Sequence, residues 1–153
     1  MNKKILVNLS TLGPIGNLPA SGTWASIFTV LFILGVHRVC PSIYFYFLVT
    51  FIVLIASLFV VKKALIYFET PDPSSIVLDE VVGMMITLYG IPLDVFPVLI
   101  GLIIFRFLDI SKPLIIKKME SLPDIYGIFA DDILAAVITN ILLRIILFTC
   151  LKQ

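Results

Sequence analysis

The sequence is poor in the side chains that bind soft metals. Its 153 residues include one histidine, His37, and two cysteines, Cys40 and Cys150, which form neither a CxxC pair nor a Cys/His zinc spacing. A zinc site is therefore not expected. The two cysteines lie in or beside apolar segments, where they are expected to pack as small apolar side chains.

Charge is also scarce. Charged residues make up 14% of the chain, the formal net charge is +1, and no block of Lys and Arg lies on a polar helix face. These features argue against a nucleic-acid-binding protein and indicate no protein partner. The few apolar residues between Lys4 and Asn8 also predict that there is no cleaved signal peptide.

Hydrophobic residues, by contrast, make up 60% of the chain and occur in long runs, which is typical of an integral membrane protein. Because no linker, repeat or shift in composition divides the sequence, residues 1–153 are expected to form a single domain. Proline, glycine and charged residues separate the apolar runs, and this pattern predicts an all-α fold. We expect a small polytopic membrane helical bundle with short interfacial helices.

Seven segments are predicted, and a full span of a bilayer needs about 20 apolar residues. They are an interfacial piece followed by a loop (1–23), a helix that reaches most of the way across (24–36), the clearest transmembrane helix (43–61), a helix that spans or re-enters (75–89), a further helix (95–108), an amphipathic surface piece (114–122) and a last helix (133–151).

The positions of the cations predict an orientation. With a cytoplasmic N-terminus, only Arg38 and Lys152 lie outside, in agreement with the positive-inside rule, and the cations on the cytoplasmic side are Lys3, Lys4, Lys62, Lys63, Lys112, Lys117 and Lys118. The same orientation places His37 on the far side, where it is a poor candidate for a general base. It also gathers one set of charged residues at the cytoplasmic surface, namely Asp72, Asp79, Glu80, Arg106, Asp109, Lys112, Asp131 and Asp132.

Asp79 and Glu80 interrupt an apolar run at the start of a predicted helix. An ionised side chain within or beside a bilayer is costly, so such residues mark a functional site. Together with Asp109, Asp131 and Asp132, they place five like charges in one layer, which is too many without a cation. Carboxylates without nearby His or Cys suit hard cations such as Mg²⁺, Mn²⁺ or Ca²⁺, and Mg²⁺ is the expected ion.

Arg106, Asp109 and Lys112 are spaced i, i+3, i+6, so they project from one face of a helix. By itself, this row could be a salt bridge at the membrane edge. Beside a metal site, however, Arg and Lys indicate that the bound ligand is an anion such as phosphate. The combination indicates phosphate-ester chemistry on a lipid.

Three smaller features have more than one interpretation. The loop before the first apolar helix could hold a phosphate on its backbone amides at Gly22 and Thr23, or it could be an ordinary helix start capped by Ser21 or Thr23. Gly83 is expected to let two helices approach closely. Arg144 could pair with a carboxylate or reach outward to the membrane surface.

Four stretches of the chain resemble successive blocks of the phosphatidylglycerophosphatase A family, in the family's order and over most of the chain. They are GTWAS (22–26), IVLDEVVGM (76–84), FRFLDISKP (105–113) and GIFADDILA (127–135). The resemblance implies a bacterial inner-membrane, Mg²⁺-dependent lipid phosphatase whose active site faces the cytoplasm. Its substrate would be phosphatidylglycerophosphate, and removal of the terminal phosphate would yield phosphatidylglycerol.

The resemblance also implies roles for individual residues. The catalytic acids would be Asp79, Glu80, Asp109, Asp131 and Asp132, the metal ligands Asp79, Glu80 and one or both of Asp131 and Asp132, and the phosphate-binding residues Thr23, Arg106 and Lys112. The departures from the family pattern, such as Leu114 in place of a tryptophan, leave every charged position in place. They therefore concern substrate fit and loop geometry more than the chemistry.

Several alternatives stay open. Either a water molecule or a carboxylate attacks phosphorus, and Asp109 is a candidate nucleophile or base. The enzyme could act on another lipid phosphate. A lipid phosphotransferase is less expected, because its compact aspartate pattern is absent. A non-enzymatic cation carrier or channel subunit would distribute its acids through the depth of the membrane.

Overall fold

The computed structural model describes residues 2–70 and 73–150. Within these ranges the chain forms helices and loops but no strand, which confirms the all-α prediction. The seven α-helices are α1 (Lys3–Ser10), α2 (Ser21–Val39), α3 (Ile43–Ala64), α4 (Leu78–Thr87), α5 (Val95–Ser111), α6 (Leu114–Glu120) and α7 (Ile125–Cys150), with 3₁₀ turns at Ile15–Asn17 and Leu65–Tyr67. Asp72 and Lys152, which the predicted orientation used, lie outside the described residues.

In the part of the chain that the structure describes, three helices are long and apolar enough to cross a membrane: α2, α3 together with its following turn, and α7. They contain 19, 25 and 26 residues, and a rise of about 1.5 Å per residue makes each comparable to a hydrocarbon layer of about 30 Å. Large apolar side chains on α3 point away from the protein, and Phe51 and Phe59 are each more than half exposed. Lipid is the natural solvent for such a surface, so the predicted membrane bundle is confirmed.

The helix that carries Asp79 and Glu80 is too short to cross a membrane alone. α4 has ten residues, which corresponds to about 15 Å, so it enters the bundle and stops inside it. α5 returns antiparallel to α4 after a turn at Gly90, whose φ of 67° is easily adopted only by glycine. An added Cβ at Gly83 would lie 2.5 Å from the Phe105 ring, so Gly83 lets α4 and α5 approach closely, as predicted.

Most helix boundaries lie within three residues of the predicted ones, but α7 begins eight residues earlier, at Ile125 instead of residue 133. The prediction placed Gly127 before the start of this helix. Its missing side chain instead lets the first turn of α7 pack on the end of α6, since an added Cβ would lie 2.6 Å from the Leu122 carbonyl oxygen. Asp131 and Asp132 consequently lie inside a helix and not in front of one.

The helix directions separate the polar residues into two groups. α2, α4 and α7 begin, and α5 ends, at one end of the bundle, where their charged residues line a common cavity. At the other end, His37 lies near Ser42 and Gly90 around a separate cavity. The prediction that His37 lies away from the acids is therefore confirmed.

Candidate active site

A polar cavity of about 220 Å³ lies at the end of the bundle where α2, α4 and α7 begin. It collects the residues that the sequence distributes over four separate motifs. Seven of the eight predicted site residues line it, and Thr23 is the exception. The lining residues are Ala20, Ser21, Gly22, Pro73, Ser74, Ile76, Asp79, Glu80, Arg106, Asp109, Lys112, Ile128, Asp131 and Asp132.

Two pairs of neighbouring acids line the cavity, and in each pair a backbone amide fixes the first carboxylate. Asp79 and Glu80 lie in the first turn of α4, where the helix dipole favours negative charge. The Glu80 amide donates a hydrogen bond to Asp79 Oδ1 at 3.1 Å, and the Asp132 amide donates to Asp131 Oδ1 at 3.0 Å. Because consecutive helical residues are about 100° apart, Asp131 and Asp132 face different groups. Asp79 and Glu80, in contrast, each bring one carboxylate oxygen within 4.8 Å of the other.

Three of the acids form a compact cluster. One carboxylate oxygen each from Asp79, Glu80 and Asp132 lies within 4.8 Å of the other two. A Mg²⁺ ion holds its ligands octahedrally at about 2.1 Å, so adjacent ligand oxygens stand roughly 3 Å apart and opposite ones roughly 4 Å apart. The spacing of the cluster and its all-oxygen character thus fit such an ion.

Buried atoms without partners give an independent test of that fit. Within the described ranges, Glu80 Oε2 and Asp132 Oδ2 are buried and accept no hydrogen bond. An unpaired buried carboxylate oxygen is costly. Both residues belong to the three-acid cluster, so a hard cation bound there would be a natural partner for their carboxylates. Arg106 Nε is likewise buried without an acceptor, which leaves a donor for an anionic ligand.

The remaining two acids hold the two cations. Arg106 Nη1 lies 2.6 Å from Asp109 Oδ2 and 3.6 Å from Glu80 Oε1, so the guanidinium links α5 to the acidic start of α4. Lys112 Nζ lies 2.8 Å from Asp131 Oδ2 and 3.0 Å from Glu120 Oε1. Asp131, a predicted metal ligand, is therefore engaged by a lysine and is not part of the three-acid cluster.

Lys112 is held by its backbone as well as by its side chain. It ends α5 in the left-handed conformation, with a φ of 39°, which turns the chain into α6 and brings Glu120 back towards the cavity. Partial burial lowers the pKa of Lys112, but hydrogen bonds to Asp131 and Glu120 outweigh it and raise the pKa above its ordinary value. The ammonium group therefore stays charged at neutral pH.

The cavity carries an excess of negative charge. When all five lining carboxylates are ionised, they exceed the two cations by three formal negative charges. The side chains of Glu80, Arg106 and Asp109 are only 12–14% exposed, so water screens these charges weakly. A bound cation would offset this negative charge.

Gly22 lies directly against the charged groups. A Cβ built on it would lie 2.7 Å from both Arg106 Nη1 and Arg106 Nη2, and it would overlap Glu80 Oε1. The start of α2 therefore closes one wall of the cavity with bare backbone. Larger residues at this position would displace the Glu80–Arg106 pair.

The start of α2 differs from the capping alternative considered for it. The N-cap residue is Ala20, in a left-handed conformation and without a side-chain cap bond, so neither Ser21 nor Thr23 caps the helix. Ser21 Oγ instead donates to the Ser74 carbonyl at 2.8 Å, which ties α2 to the loop before α4. The Thr23 amide donates to the Ala20 carbonyl at 2.9 Å.

Two residues of the site carried little signal in the sequence. Glu120 lies in the predicted amphipathic surface piece (114–122), and nothing in that pattern separates it from an ordinary solvated acid. Gly22 belonged to a recognisable motif, but a glycine before a helix is usually a turn residue. Only the assembled structure shows that Glu120 holds Lys112 and that Gly22 contacts Glu80.

Comparisons with known proteins identify similar sequences. A family model described as "Phosphatidylglycerophosphatase A" matches residues 8–147. The chain is 35% identical over 122 residues to phosphatidylglycerophosphatase A of Haemophilus influenzae, covering 78% of this chain and 74% of that protein. It is 43% identical over 70 residues to phosphatidylglycerophosphatase A of Escherichia coli, covering 44% and 41% respectively.

A further relative carries a different name. The chain is 39% identical over 77 residues to a Bacteroides thetaiotaomicron protein provisionally named phosphatidylinositol-3-phosphatase, covering 48% of each chain. The matches to this protein and to the Escherichia coli one thus span about half the length of those relatives or less. No solved structure matches the chain.

Proposed function

The chain belongs to the phosphatidylglycerophosphatase A family, and on this premise we propose that it is a Mg²⁺-dependent phosphatase acting on phosphatidylglycerophosphate. The reaction consumes one water molecule and breaks the bond between phosphorus and the head-group oxygen. That oxygen takes a proton and becomes the terminal hydroxyl of phosphatidylglycerol, and inorganic phosphate is released. The enzyme lies in the bacterial inner membrane, with the cavity facing the cytoplasm.

The observation that carries this proposal is the meeting of a three-acid cluster with two held cations in one cavity. A phosphate monoester carries up to two negative charges, and a cavity with three excess negative charges would repel it. A divalent cation removes most of that repulsion. The charge balance therefore supports binding of the metal together with the phosphate, as expected for phosphoryl transfer.

Asp79, Glu80 and Asp132 are the residues that would hold Mg²⁺. When bound, the ion withdraws charge from the phosphoryl oxygens and makes phosphorus easier to attack. The first two ligands come from α4 and the third from α7, so the ion would join the two helices. The orphaned oxygens of Glu80 and Asp132 support this assignment.

Arg106 and Lys112 are the groups that would bind the phosphate. Asp109 orients the Arg106 guanidinium, and Asp131 with Glu120 orients the Lys112 ammonium. Because these acids already hold the two cations in place, the cations can stabilise the negative charge that develops on the phosphoryl oxygens without first having to move. In this proposal, Asp109 and Asp131 act on the phosphate through the cations that they position.

The surroundings of the cavity suit a lipid substrate. α6 runs beside it with Leu114 and Ile115 strongly exposed and with Lys117 and Lys118 also at the surface, as expected of a helix lying along a membrane. A phosphorylated head group could then reach the cavity while its acyl chains stay in the bilayer. The acids gather at one end of the bundle, which does not favour a cation carrier.

The test is phosphate release by the purified protein in detergent. The substrates are phosphatidylglycerophosphate, phosphatidic acid, phosphatidylinositol 3-phosphate and glycerol 3-phosphate, each with Mg²⁺ or with a chelator. We expect Mg²⁺-dependent release from phosphatidylglycerophosphate and little release from the soluble ester. Release chiefly from phosphatidylinositol 3-phosphate would show that this lipid, and not phosphatidylglycerophosphate, is the substrate. This lipid is included because the name of the Bacteroides relative assigns it to that protein. A folded, Mg²⁺-supplied sample that releases phosphate from none of them would refute a phosphatase.

A further inference from the structure

α4 ends inside the bundle, and its last carbonyl groups accept hydrogen bonds from side chains of other helices. The last carbonyls of a helix have no partner within the helix, and the interior of a membrane offers no water to replace one. Tyr46 Oη on α3 donates to the Met85 carbonyl at 2.8 Å. The other two donors, Asn140 and Arg144, lie on α7.

Asn140 contributes most of these hydrogen bonds. Its Nδ2 lies 3.3 Å from the carbonyl oxygen of Ile86 and 2.9 Å from those of Thr87 and Tyr89. One amide group thus spans three carbonyls at the end of α4. These hydrogen bonds join residues of α7 and of the end of α4 that are 51–54 positions apart in the sequence.

Arg144 fixes the orientation of that amide. Its Nε donates to Asn140 Oδ1 at 2.8 Å, which leaves the Asn140 NH₂ group facing α4. Its Nη2 donates to the Tyr89 carbonyl at 2.9 Å, so a guanidinium charge lies at the C-terminal end of α4, where the helix dipole favours a cation. The positive φ of Gly90 and its missing side chain let the guanidinium approach, because a Cβ there would lie 2.8 Å from Arg144 Nη2.

The hydrogen bonds of Asn140 and Arg144 lie equally far from the three-acid cluster along α4 and along α7. Asp79 and Thr87 are eight residues apart on α4, and Asp132 and Asn140 are eight residues apart on α7. The two helices run in the same direction from the cavity, so each interval is about 12 Å. The Asn140 contact therefore sets the register in which Asp79 and Glu80 face Asp132.

We propose that Asn140 and Arg144 are positioning residues of the metal site. They hold the inner end of α4 in register with α7, and they act on the metal through Asp79 and Glu80. α4 is about 15 Å long, so a tilt of only about 4° at its inner end moves its first turn by about 1 Å. This inference rests on the proposed function for its metal, and it adds residues that contact neither metal nor phosphate.

The test compares Asn140→Leu with the unmodified protein. Mn²⁺ binding to the detergent-solubilised protein is followed by the electron paramagnetic resonance signal of the free ion, and phosphate release is titrated with Mg²⁺. Loss of groups that orient metal ligands commonly weakens metal binding 10–100-fold. We expect the variant to need about 10–100 times more Mn²⁺ for half-saturated binding and about 10–100 times more Mg²⁺ for half-maximal phosphate release. The variant should still be folded at the assay temperature.

Leu143→Ala is the matched control. Leu143 is a buried neighbour on α7 whose side chain packs near Gly101 of α5, so its truncation lowers stability without removing a hydrogen bond to α4. We expect a lower melting temperature and an unchanged Mn²⁺ affinity. A merely structural role for Asn140 would make the two variants behave alike.

Arg144→Met supports the same test if Asn140→Leu does not fold, because Arg144 is exposed and its loss removes only two hydrogen bonds. Arg144→Lys keeps the charge near Tyr89 and should recover part of the affinity. Unchanged Mn²⁺ binding in a folded Asn140→Leu or Arg144→Met protein would overturn the inference. A wild-type protein that binds Mn²⁺ but releases no phosphate would refute the proposed function alone.

Discussion

Replacement of Gly22 by alanine tests the site without changing any charge. The added Cβ would lie 2.7 Å from two Arg106 nitrogens, whereas ordinary contact begins at 3.4 Å. The guanidinium must therefore retreat by about 0.7 Å, and Glu80 must move as well. A displacement near 1 Å in a catalytic constellation costs roughly 10²-fold in rate. We accordingly expect kcat/KM for phosphate release to fall between about 10-fold and 10²-fold.

The Gly22→Ala protein should nevertheless fold, because the groups that it displaces are side-chain ends and not backbone. The assays are phosphate release at saturating Mg²⁺, Mn²⁺ binding and thermal unfolding. We expect weaker Mn²⁺ binding, since Glu80 belongs to the three-acid cluster, and little change in melting temperature.

Gly35→Ala on the same helix is the control. A Cβ at Gly35 meets nothing within 4 Å, and alanine in a helix is favoured over glycine by roughly 0.5–1 kcal/mol. This variant should keep full activity and be equally or more stable. Wild-type kcat/KM and metal affinity in Gly22→Ala would show that the Glu80–Arg106 pair does not take part in the reaction.

Further predictions follow from the same cavity. Asp132→Asn should reduce turnover at least 10³-fold yet keep or raise the melting temperature, because it removes one of the excess negative charges; a variant with near-normal turnover would contradict the metal assignment. Removing Mg²⁺ with a chelator should abolish activity and lower the melting temperature, and re-adding Mg²⁺ should restore both. Lys112→Met should raise KM at least tenfold, whereas the exposed Lys118→Met should leave it within twofold; equal effects would exclude a phosphate role for Lys112. Gly83→Ala should lower the free energy of unfolding by roughly 1–3 kcal/mol, because the new Cβ would lie 2.5 Å from the buried Phe105 ring; an unchanged denaturant midpoint would show that α5 can move away.

Local sequence determined the membrane helices well, because a span is defined by its own length and hydropathy. α2 and α3 appear within three residues of their predicted bounds. Local sequence also identified the charged residues of the cavity, since each stands out against an apolar run. The start of α7 was predicted wrongly, because a glycine is common both in loops and at close helix contacts. Only the residues that pack against Gly127 in the folded protein show that it is a helix contact.

Tertiary structure alone decided what each charged side chain faces. Asp131 and Asp132 are adjacent in the sequence and equivalent in charge, yet helix rotation points one to Lys112 and the other to Asp79 and Glu80. The Thr87 carbonyl at the end of α4 likewise accepts a hydrogen bond from Asn140, which lies more than 50 residues away. Hydropathy is a property of the segment itself, whereas these contacts depend on how separate helices pack, and that information is spread over the whole chain.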